Sequence, residues 1–577
     1  MTEILNLTLL VSVPGAPLLL LPALLYSAST RATIRLAPLF LLPGVVVALA
    51  GTTEPIYLSW LFFGSTLGLS DTGRILLLLT GALWSAAALF SQGYLAMDAN
   101  KRRYWIFFLL TASGNLGLII AQDMISFYVF FSLMSFAAYG LIIHDGSAFA
   151  QRAGTIYLIL VMIGEVLLFA ALALIADRGG SLLLKDVAYV IADAPHANLM
   201  IGLLLAAFGI KTGVVPLHIW LPLAHPAAPV PASAVLSGTM IKAGLLGLLQ
   251  CLPLGLATLP GWSAVILSIG LFMAFFGALL GVLQTQAKAV LAYSSISQMG
   301  FPLIGVGIGL NHPDSWPLLL SAVSFYLLHH GLAKGALFLG AGMASGTMRR
   351  PAEGRLIVAG LLLPALAIAG APFTSGAMAK SGLKAFVAEN GLLSGSALSM
   401  LLSLAAVGTC LLMVRFLACL ATATPDPEHK TTGSMWLGWL LPLSAVVLVG
   451  ANLLPTVNPP QAGTSAHHLI GHLWPLVAGA VIGAGVWYRA RQTTTLLSLP
   501  PGDILLPIEA ALGQAWRWRS RLRLPWPLLR LHLRQRFELQ NLPLMLVLRD
   551  TDLTLRRLSV AGALLLLLLL LILLFRP

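Results

Sequence analysis

The sequence predicts an all-α polytopic membrane protein with about sixteen transmembrane helices (14 to 16). Of its 577 residues, 58% are apolar and only 9% are charged, whereas a soluble domain carries about 25% charged residues. Apolar runs of about 20 residues, the length that a helix needs to cross the hydrocarbon core, recur along the chain. These runs are continuous rather than alternating, which excludes a transmembrane β-barrel.

Clusters of proline and glycine separate the apolar runs and set the boundaries of the predicted spans. The first run has no basic residue before it and no small-residue cleavage site after it, so we expect it to be a retained span. The predicted spans are residues 4–26, 34–50, 75–96, 104–121, 123–143, 154–176, 197–215, 229–251, 263–283, 289–310, 317–344, 356–388, 394–421, 434–454, 466–488 and 558–575. The twelfth run is too long for one span and is predicted to be broken.

Basic residues are concentrated in the loops after odd-numbered spans, and cytoplasmic loops are the ones that carry excess Lys and Arg. The loops after even-numbered spans contain only Arg74, Arg178 and Lys185. We therefore expect the N-terminus outside and the basic segment, residues 489–557, in the cytoplasm. The expected location is a bacterial inner membrane. This bias and the basic segment account for the net charge of +13.

Arginines alternate with aromatic and apolar residues over positions 516–524 of the basic segment. Such interleaving occurs in nucleic-acid-binding chains. A segment held at the membrane face between two spans meets anionic lipid instead, and its aromatic side chains suit the interface. We predict membrane-surface helices that contact anionic lipids, and no nucleic-acid partner. An uninterrupted helix is excluded by four prolines, which are Pro507, Pro525, Pro527 and Pro543.

Ionisable residues inside the predicted spans are the candidate functional residues, because a charge at mid-bilayer costs about 2.5–3.5 kcal/mol. Desolvation favours the neutral form of a buried lysine, which can then take up and release protons near neutral pH. We predict a proton relay; the alternative, structural ion pairing, is disfavoured because cations outnumber anions. The candidates are Glu165, Lys211, Lys242, His330, Lys334 and Lys380.

His330 and Lys334 are four residues apart on one predicted helix. Residues at this spacing project from the same face, about one turn from each other. A proton can therefore pass between them directly or through one water molecule.

Helix-breaking residues lie beside two of the candidate lysines, Lys211 in the seventh span and Lys380 in the twelfth. Non-helical backbone at membrane depth is tolerated where it is buried or lines a wet cavity. Breaks at matching places in two halves are typical of an inverted repeat. The breakers are Pro216 and Pro222 in the seventh span and Gly370, Pro372 and Gly376 in the twelfth.

The breaks predict two inverted five-helix repeats in which helices 7 and 12 are broken. The expected organisation is helices 1–3 (residues 1–103), a first half of helices 4–8 (104–251), a second half of helices 9–13 (263–421), helices 14 and 15 (434–488), the basic segment (489–557) and a last helix (558–577).

Four motifs, which lie within residues 60–420, resemble those of the antiporter-like proton-translocating subunits. They are KTGVVPLHIWLPLAHPAAPVPASAVLSGTMIKAGLLGLL (211–249), LAYSSISQMGF (291–301), HHGLAKGALFLGAG (329–342) and GAPFTSGAMAK (370–380). The family includes the large membrane subunits of respiratory complex I, the multisubunit cation/proton antiporters and the membrane subunits of energy-converting hydrogenases. AHPAAP followed by SGTMIK is most similar to the large membrane subunit of hydrogenase-4 and formate hydrogenlyase.

The resemblance implies a role for each candidate cation. Lys211 matches the broken-helix lysine of the first half-channel, and Lys242 matches a lysine that bridges the halves in some members. His330 and Lys334 match a central histidine and the central lysine. Lys380 matches the terminal residue of the second half-channel, which is Lys or Glu depending on the subunit.

One departure from the family affects the partner of Lys211. The fifth span normally carries a glutamate that pairs with this lysine, and here FYVFFSLMSF places Ser132 there. Glu165 falls where some members have an aspartate, and it is the only acid left in the membrane interior of the first half. We hypothesise that Glu165 has taken over the partnership.

Further departures argue against a standard complex I subunit. Tyr326 stands where a histidine one turn before His330 is usual, and Gln286 and Ala289 stand where the family has an acid and a base. These changes favour a divergent paralogue in another complex.

The expected function is proton translocation within a multisubunit complex whose redox partner supplies the energy. The sequence carries no nucleotide-binding, cluster or haem motif, so we expect no cofactor and no self-contained active site. His218 and His225 do not share a helical face, which disfavours a metal site. A lysine-rich interior with few carboxylates favours protons over sodium ions.

Two other functions stay open. In one, the same relay conducts protons or sodium ions to energise an uptake complex, such as an inorganic-carbon accumulator with a zinc-bearing soluble subunit, or works in a cation/proton antiporter. In the other, the chain is a non-conducting scaffold that retained the fold.

Overall fold

The computed structural model describes residues 2–25, 30–51, 54–62, 64–347, 351–422, 430–453 and 466–492, and the single positions 505, 511 and 514. Most of the predicted basic segment and the whole of the last predicted span lie outside the described residues. The described chain is mainly helical, with two three-residue strands that the all-α prediction omitted.

The N-terminal region and the first predicted half contain thirteen α-helices and the two strands. In chain order these are α1 (Thr2–Leu19), α2 (Leu21–Leu25), α3 (Thr30–Phe40), α4 (Pro43–Ala50), β1 (Ile56–Leu58), β2 (Ser65–Leu67), α5 (Asp71–Tyr94), α6 (Lys101–Ile120), α7 (Met124–Ile142), α8 (Ala148–Gly179), α9 (Leu184–Asp193), α10 (Ala197–Thr212), α11 (Trp220–Ala227), α12 (Val230–Val235), a π-helical turn (Leu236–Met240) and α13 (Ile241–Cys251).

The rest of the described chain adds eight α-helices. They are α14 (Pro260–Val282), α15 (Ala287–Asn311), α16 (Trp316–Thr347), α17 (Pro351–Ala369), α18 (Ser375–Lys384), α19 (Gly395–Ala421), α20 (Gly433–Gly450) and α21 (Ala466–Gln492). Short 3₁₀ turns, Pro313–Ser315 and Val387–Glu389, precede α16 and follow α18.

Twelve helical segments of the described chain are long and apolar enough to cross a membrane. Two shorter apolar helices, Ala197–Thr212 and Leu473–Val486, accompany them. The protein is therefore a multi-pass membrane protein, and the count of sixteen spans stays a prediction.

Several helices begin where the sequence supplies a capping side chain. Asp123 accepts a hydrogen bond from the Ser126 amide at the start of α7, and Thr432 accepts one from the Met435 amide at the start of α20. Such oxygens satisfy amides that have no partner in the first turn.

Helix α16 is the central element of the fold, and it packs against α5, α12, α15, α17, α18 and α20. Its neighbour α15 packs closely on α14 through glycines. A Cβ atom on Gly277 would lie 2.6 Å from the Ser297 amide nitrogen, and one on Gly300 would lie 2.3 Å from the Gly270 carbonyl oxygen. Small residues allow this close approach of backbones in a membrane.

The site described below lies within one compact unit, Met1–Ile56 and Thr66–Gly502. Tyr57–Ser65, which includes the turn between β1 and β2, belongs to a second unit.

Candidate functional site

All six ionisable candidates are buried. Relative exposure is 4% for Glu165 and Lys380, 3% for Lys211, 2% for Lys242, and 0% for His330 and Lys334. They lie on α8, α10, α13, α16 and α18. None of the four lysines has a carboxylate of a described residue within 4 Å.

The first helix break follows Lys211. Helix α10 ends at Thr212, and Gly213 adopts a left-handed conformation with φ of 82°. Pro216 lies in the break, and Pro222 lies in the first turn of α11. The predicted seventh span ended at residue 215, whereas the chain continues as α11 to Ala227. Proline is tolerated in a first helical turn because the amide there has no intrahelical partner.

Lys211 lies in an aromatic and polar environment at the end of α10. Its Nζ donates to the Tyr157 hydroxyl at 3.4 Å and lies 5.4 Å from the centre of the Phe131 ring. The Tyr157 hydroxyl in turn donates to the Ser135 carbonyl at 2.8 Å. A position in the last turn is favourable for a cation, because helix C-termini carry partial negative charge.

Glu165 faces the same cavity as Lys211. The cavity has a volume of about 10 Å³, which is room for about one water molecule. Ser132 donates to Glu165 Oε2 at 2.5 Å, and Glu165 Oε1 has no hydrogen-bond partner among the described residues. The glutamate and the lysine thus attract each other across the cavity without forming a direct ion pair.

The π-helical turn between α12 and α13 orients Lys242. Its Nζ donates to the Ser237 carbonyl at 2.6 Å, and the Ser237 hydroxyl contacts the Ser295 hydroxyl at 2.7 Å. A π-helical turn leaves carbonyl groups out of the regular ladder and is frequent at functional sites. Lys334 is close enough to Lys242 for their charges to repel each other.

His330 and Lys334 both lie on α16. Lys334 Nζ donates to the Leu291 carbonyl of α15 at 2.9 Å. Neither ring nitrogen of His330 has a hydrogen-bond partner among the described residues. A fully buried imidazole without a partner is costly, and it marks a place where a proton or a water molecule can be accepted.

The second helix break precedes Lys380. Helix α17 ends at Ala369, Pro372 lies in the break, and Gly376 lies in the first turn of α18. A Cβ atom on Gly376 would lie 1.7 Å from the Ala367 carbonyl oxygen, so only glycine fits this contact between the two segments.

Lys380 reaches back across the break. Its Nζ donates to the carbonyl oxygens of Ile368 and Ala369, each at 3.0 Å, and lies 5.3 Å from the centre of the Phe301 ring. The amine therefore occupies the C-terminal end of α17, where carbonyl groups lack helical partners.

Two buried histidines belong to the same region, although the relay predicted from the sequence did not include them. His329 Nδ1 lies 2.8 Å from the Ser375 hydroxyl at the start of α18, and its ring is within electrostatic reach of both Lys242 and Lys380. His225, with 0% exposure, lies near Lys334 and has no hydrogen-bond partner for either ring nitrogen among the described residues. His329 stands next to His330 in the same motif, and His225 was weighed from the sequence only as a metal ligand.

Lys384 was also missed, although a signal for it existed. It follows Lys380 by four residues, the spacing that selected His330 and Lys334. Its Nζ donates to the Ser403 hydroxyl of α19 at 2.7 Å. It ends α18 and is partly exposed.

Comparisons with known proteins place the chain among membrane subunits. Hydrogenase-4 component B of Escherichia coli (strain K12) is 32% identical over 294 residues, which cover 49% of this chain and 43% of that protein. A Na(+)/H(+) antiporter subunit of Alkalihalophilus pseudofirmus is 27% identical over 353 residues, which cover 58% of this chain and 70% of that subunit. NAD(P)H-quinone oxidoreductase chain 4 2 of Thermosynechococcus vestitus is 34% identical over 280 residues, which cover 46% of this chain and 49% of that protein. The match thus spans less than half of the hydrogenase-4 component.

Two solved structures share the fold. The Mrp complex from Dietzia sp. matches with a TM-score of 0.73 at 22% identity, covering 91% of this chain and 60% of the matched chain. The membrane-bound sulfane sulfur reductase, an archaeal respiratory membrane complex, matches with a TM-score of 0.66 at 20% identity. The match covers 96% of this chain and 100% of the matched chain.

The profile of the family described as NADH:quinone oxidoreductase/Mrp antiporter, TM, matches residues 121–414. This region includes both helix breaks and all six ionisable candidates. It makes up half of the chain, and the resemblance inferred from the four motifs is confirmed: the protein belongs to this family of antiporter-like membrane subunits, related to hydrogenase-4, Mrp antiporters and complex I.

Proposed function

We propose that the chain is the proton-translocating membrane subunit of a multisubunit complex related to respiratory complex I or an energy-converting hydrogenase. The proposal rests on one observation: five ionisable residues that neighbour one another are all buried. They are Lys242, Lys334, His330, His329 and Lys380. Each of these groups is at most 4% exposed, and each is within electrostatic reach of another member. Buried cations that only stabilised the fold would be expected to have carboxylate partners.

Protons would move because like charges in this succession oppose one another. When Lys242 is protonated, the charge disfavours protonation of Lys334, and the reverse also holds. A proton that enters one amine therefore drives one out of its neighbour. His330, with both ring nitrogens free of described partners, can hold the proton in transit, alone or with a water molecule.

In the first half, Glu165 would control the charge of Lys211. The carboxylate stabilises the protonated amine across the shared cavity. The contact between Ser132 and Glu165 supports this role, because it puts the carboxylate beside the position at which the family carries its glutamate. The relay would then run from Glu165 and Lys211 to Lys242, to His330 and Lys334, and to Lys380.

The predicted architecture belongs to the same proposal. Residues 104–251 and 263–421 would form two inverted five-helix repeats with broken helices 7 and 12, flanked by helices 1–3, helices 14 and 15, the basic segment 489–557 and the last helix, for sixteen spans in all. The repeat is supported by a lysine beside each break, Lys211 before the first and Lys380 after the second. We propose an N-terminus outside a bacterial inner membrane and a cytoplasmic basic segment that contacts anionic lipids.

The energy for uphill transport would come from a redox partner. The relatives are components of multisubunit membrane complexes, which supports other membrane and peripheral subunits as partners. Affinity purification from the native host in mild detergent tests the choice of partner. Subunits with iron–sulfur, nickel or quinone sites would agree with the proposal. A single zinc-bearing soluble protein would instead make the chain the ion-conducting half of an uptake complex.

The transport step is tested in proteoliposomes that contain the purified complex. An imposed pH gradient is followed with an internal pH-sensitive dye for the wild type, for Lys334→Ala and for Lys185→Ala. Lys185 is an exposed lysine outside the relay, so its replacement controls for the loss of one cation. We expect Lys334→Ala to lower flux by about 100-fold. Undiminished flux with intact assembly would support the scaffold function instead.

A further inference from the structure

A second cavity lies away from the relay, where the ends of four helices meet. Its volume is about 600 Å³. It is lined by the start of α3, the end of α5, the start of α6 and the residues that begin α20. The ends of membrane helices lie at the level of the lipid headgroups.

Three cations line this cavity, and it contains no acidic lining residue among those the structure describes. Arg31 and Arg35 are four residues apart on α3, one turn from each other, and both are exposed. Neither forms an ion pair with a described carboxylate. Lys101 at the start of α6 contributes the third charge, and its Nζ donates to the Ala96 carbonyl at 2.9 Å.

Asp98 is the nearest acid in sequence to Lys101, and other groups occupy its carboxylate. Its Oδ2 lies 3.0 Å from His144 Nε2, and its Oδ1 accepts a hydrogen bond from the Asn100 amide at 2.6 Å. Among the described residues, Asp98 therefore forms no ion pair with a cation that lines the cavity.

The cavity wall is held in place by hydrogen bonds between its helices. Gln92 Nε2 donates to the Ile34 carbonyl at 3.0 Å and to the Arg35 carbonyl at 3.3 Å, which joins α5 to the arginine-bearing α3. The Thr432 and Ser434 hydroxyls, 3.1 Å apart, also line the cavity and lie beside Gly93 of α5. They are hydrogen-bond donors suited to phosphate oxygens.

We propose that this cavity is a binding site for the phosphate-bearing headgroup of an anionic phospholipid. Basic pockets between transmembrane helices bind such headgroups. Trp105 and Ile34 add apolar lining, which suits the glycerol and upper acyl region of a lipid more than a free anion. The bound headgroup would join α3 and α6 by neutralising three cations that otherwise repel one another, and it would contact the start of α20 through the Thr432 and Ser434 hydroxyls.

Native mass spectrometry of the intact complex, stripped of lipid and then returned to nanodiscs, tests the site. The probes are cardiolipin, phosphatidylglycerol and, as a neutral lipid, phosphatidylcholine. We expect the wild type to retain the two anionic lipids and to release phosphatidylcholine. Each charge removed near an anionic headgroup weakens binding by about fivefold, so Arg31→Gln/Arg35→Gln/Lys101→Gln should lose about 100-fold.

Four further variants keep the test decisive if the triple variant does not assemble. Arg102→Gln removes the cation next to Lys101 that does not line the cavity, and it should bind anionic lipid like the wild type. Arg31→Lys/Arg35→Lys/Lys101→Arg preserves every charge and should keep most of the affinity. Equal lipid retention by the wild type, Arg35→Gln and Lys101→Gln would overturn the proposal.

Other occupants give different results. If 10 mM inorganic phosphate displaces the lipid completely and raises the melting temperature as much as the lipid does, the site binds a free anion and the lipid proposal fails. Asp426 and Glu428 lie a few positions before Thr432 in the sequence. If anionic lipid binds only to Asp426→Asn/Glu428→Gln, these acids compete with the lipid, which also overturns the proposal. Neither readout depends on proton flux.

Discussion

Each of the two helix breaks has a lysine beside it, and the two lysines have different chemical environments. Lys211 precedes its break and faces a carboxylate across a small cavity, with Tyr157 as its hydrogen-bond partner. Lys380 follows its break and donates to two carbonyl groups of the helix before it. A carboxylate loses its negative charge when it takes up a proton, whereas the dipoles of carbonyl groups are permanent. We therefore expect Glu165 to adjust the charge of Lys211, whereas the charge of Lys380 depends on permanent carbonyl dipoles and on neighbouring cations such as His329.

Replacing either lysine by alanine should give the largest effect on transport. We expect Lys380→Ala and Lys211→Ala each to lower proton flux by about 100-fold or more, because each removes a proton-carrying group from the relay. Dye-based flux in proteoliposomes measures the loss, and Lys185→Ala serves as the control. If only one of the two lysines matters, the relay does not use both breaks.

Gly376→Ala should strongly destabilise the second break. The added methyl group would overlap the Ala367 carbonyl oxygen at 1.7 Å, and overpacking of this kind costs about 3 kcal/mol. Thermal unfolding in detergent, followed by intrinsic fluorescence, measures the effect. Gly261→Ala is the matched control, because a Cβ atom there would meet nothing within 4 Å. An unchanged melting temperature for Gly376→Ala would show that the two segments can separate at little cost.

Moving the carboxylate from position 165 to position 132 tests the partnership between Glu165 and Lys211. Glu165→Gln keeps the shape and removes the charge, so flux should fall by about tenfold, the loss expected for a charged interaction worth about 1.4 kcal/mol. Ser132→Glu/Glu165→Gln returns a carboxylate to the position where the family carries it and should restore most of the flux. Glu165→Gln with full activity would contradict the partnership.

Tyr157→Phe should give the smallest effect. It removes the hydroxyl that accepts a hydrogen bond from Lys211 at 3.4 Å but leaves the ring and the cavity shape. The expected loss of flux is about threefold, within the range of one hydrogen bond. Tyr139→Phe, a tyrosine replacement on α7 that does not line the cavity, is the control. A loss as large as that of Lys211→Ala would make Tyr157 a proton carrier in its own right.

The amino-acid sequence was enough to predict a multi-pass helical membrane protein of the antiporter-like family. Lipid cannot satisfy backbone polar groups, so long apolar runs have few structural options, and the cost of intramembrane charge singles out Glu165 and the four lysines. The spacing of His330 and Lys334 follows from helical geometry alone. Lys384 was predictable by the same spacing from Lys380, because it also lies within the predicted span 356–388, but it was not selected.

Contacts between distant segments, in contrast, depend on how the helices pack in three dimensions. The sequence cannot show that Ser132 contacts Glu165, that His329 lies against Ser375, or that Lys380 reaches back to Ile368, because helix packing sets these distances. The short helix α9 and the extent of α11 to Ala227 also depend on neighbouring segments. Periodicity and composition report which face of a helix is apolar, but they do not report which neighbour it meets.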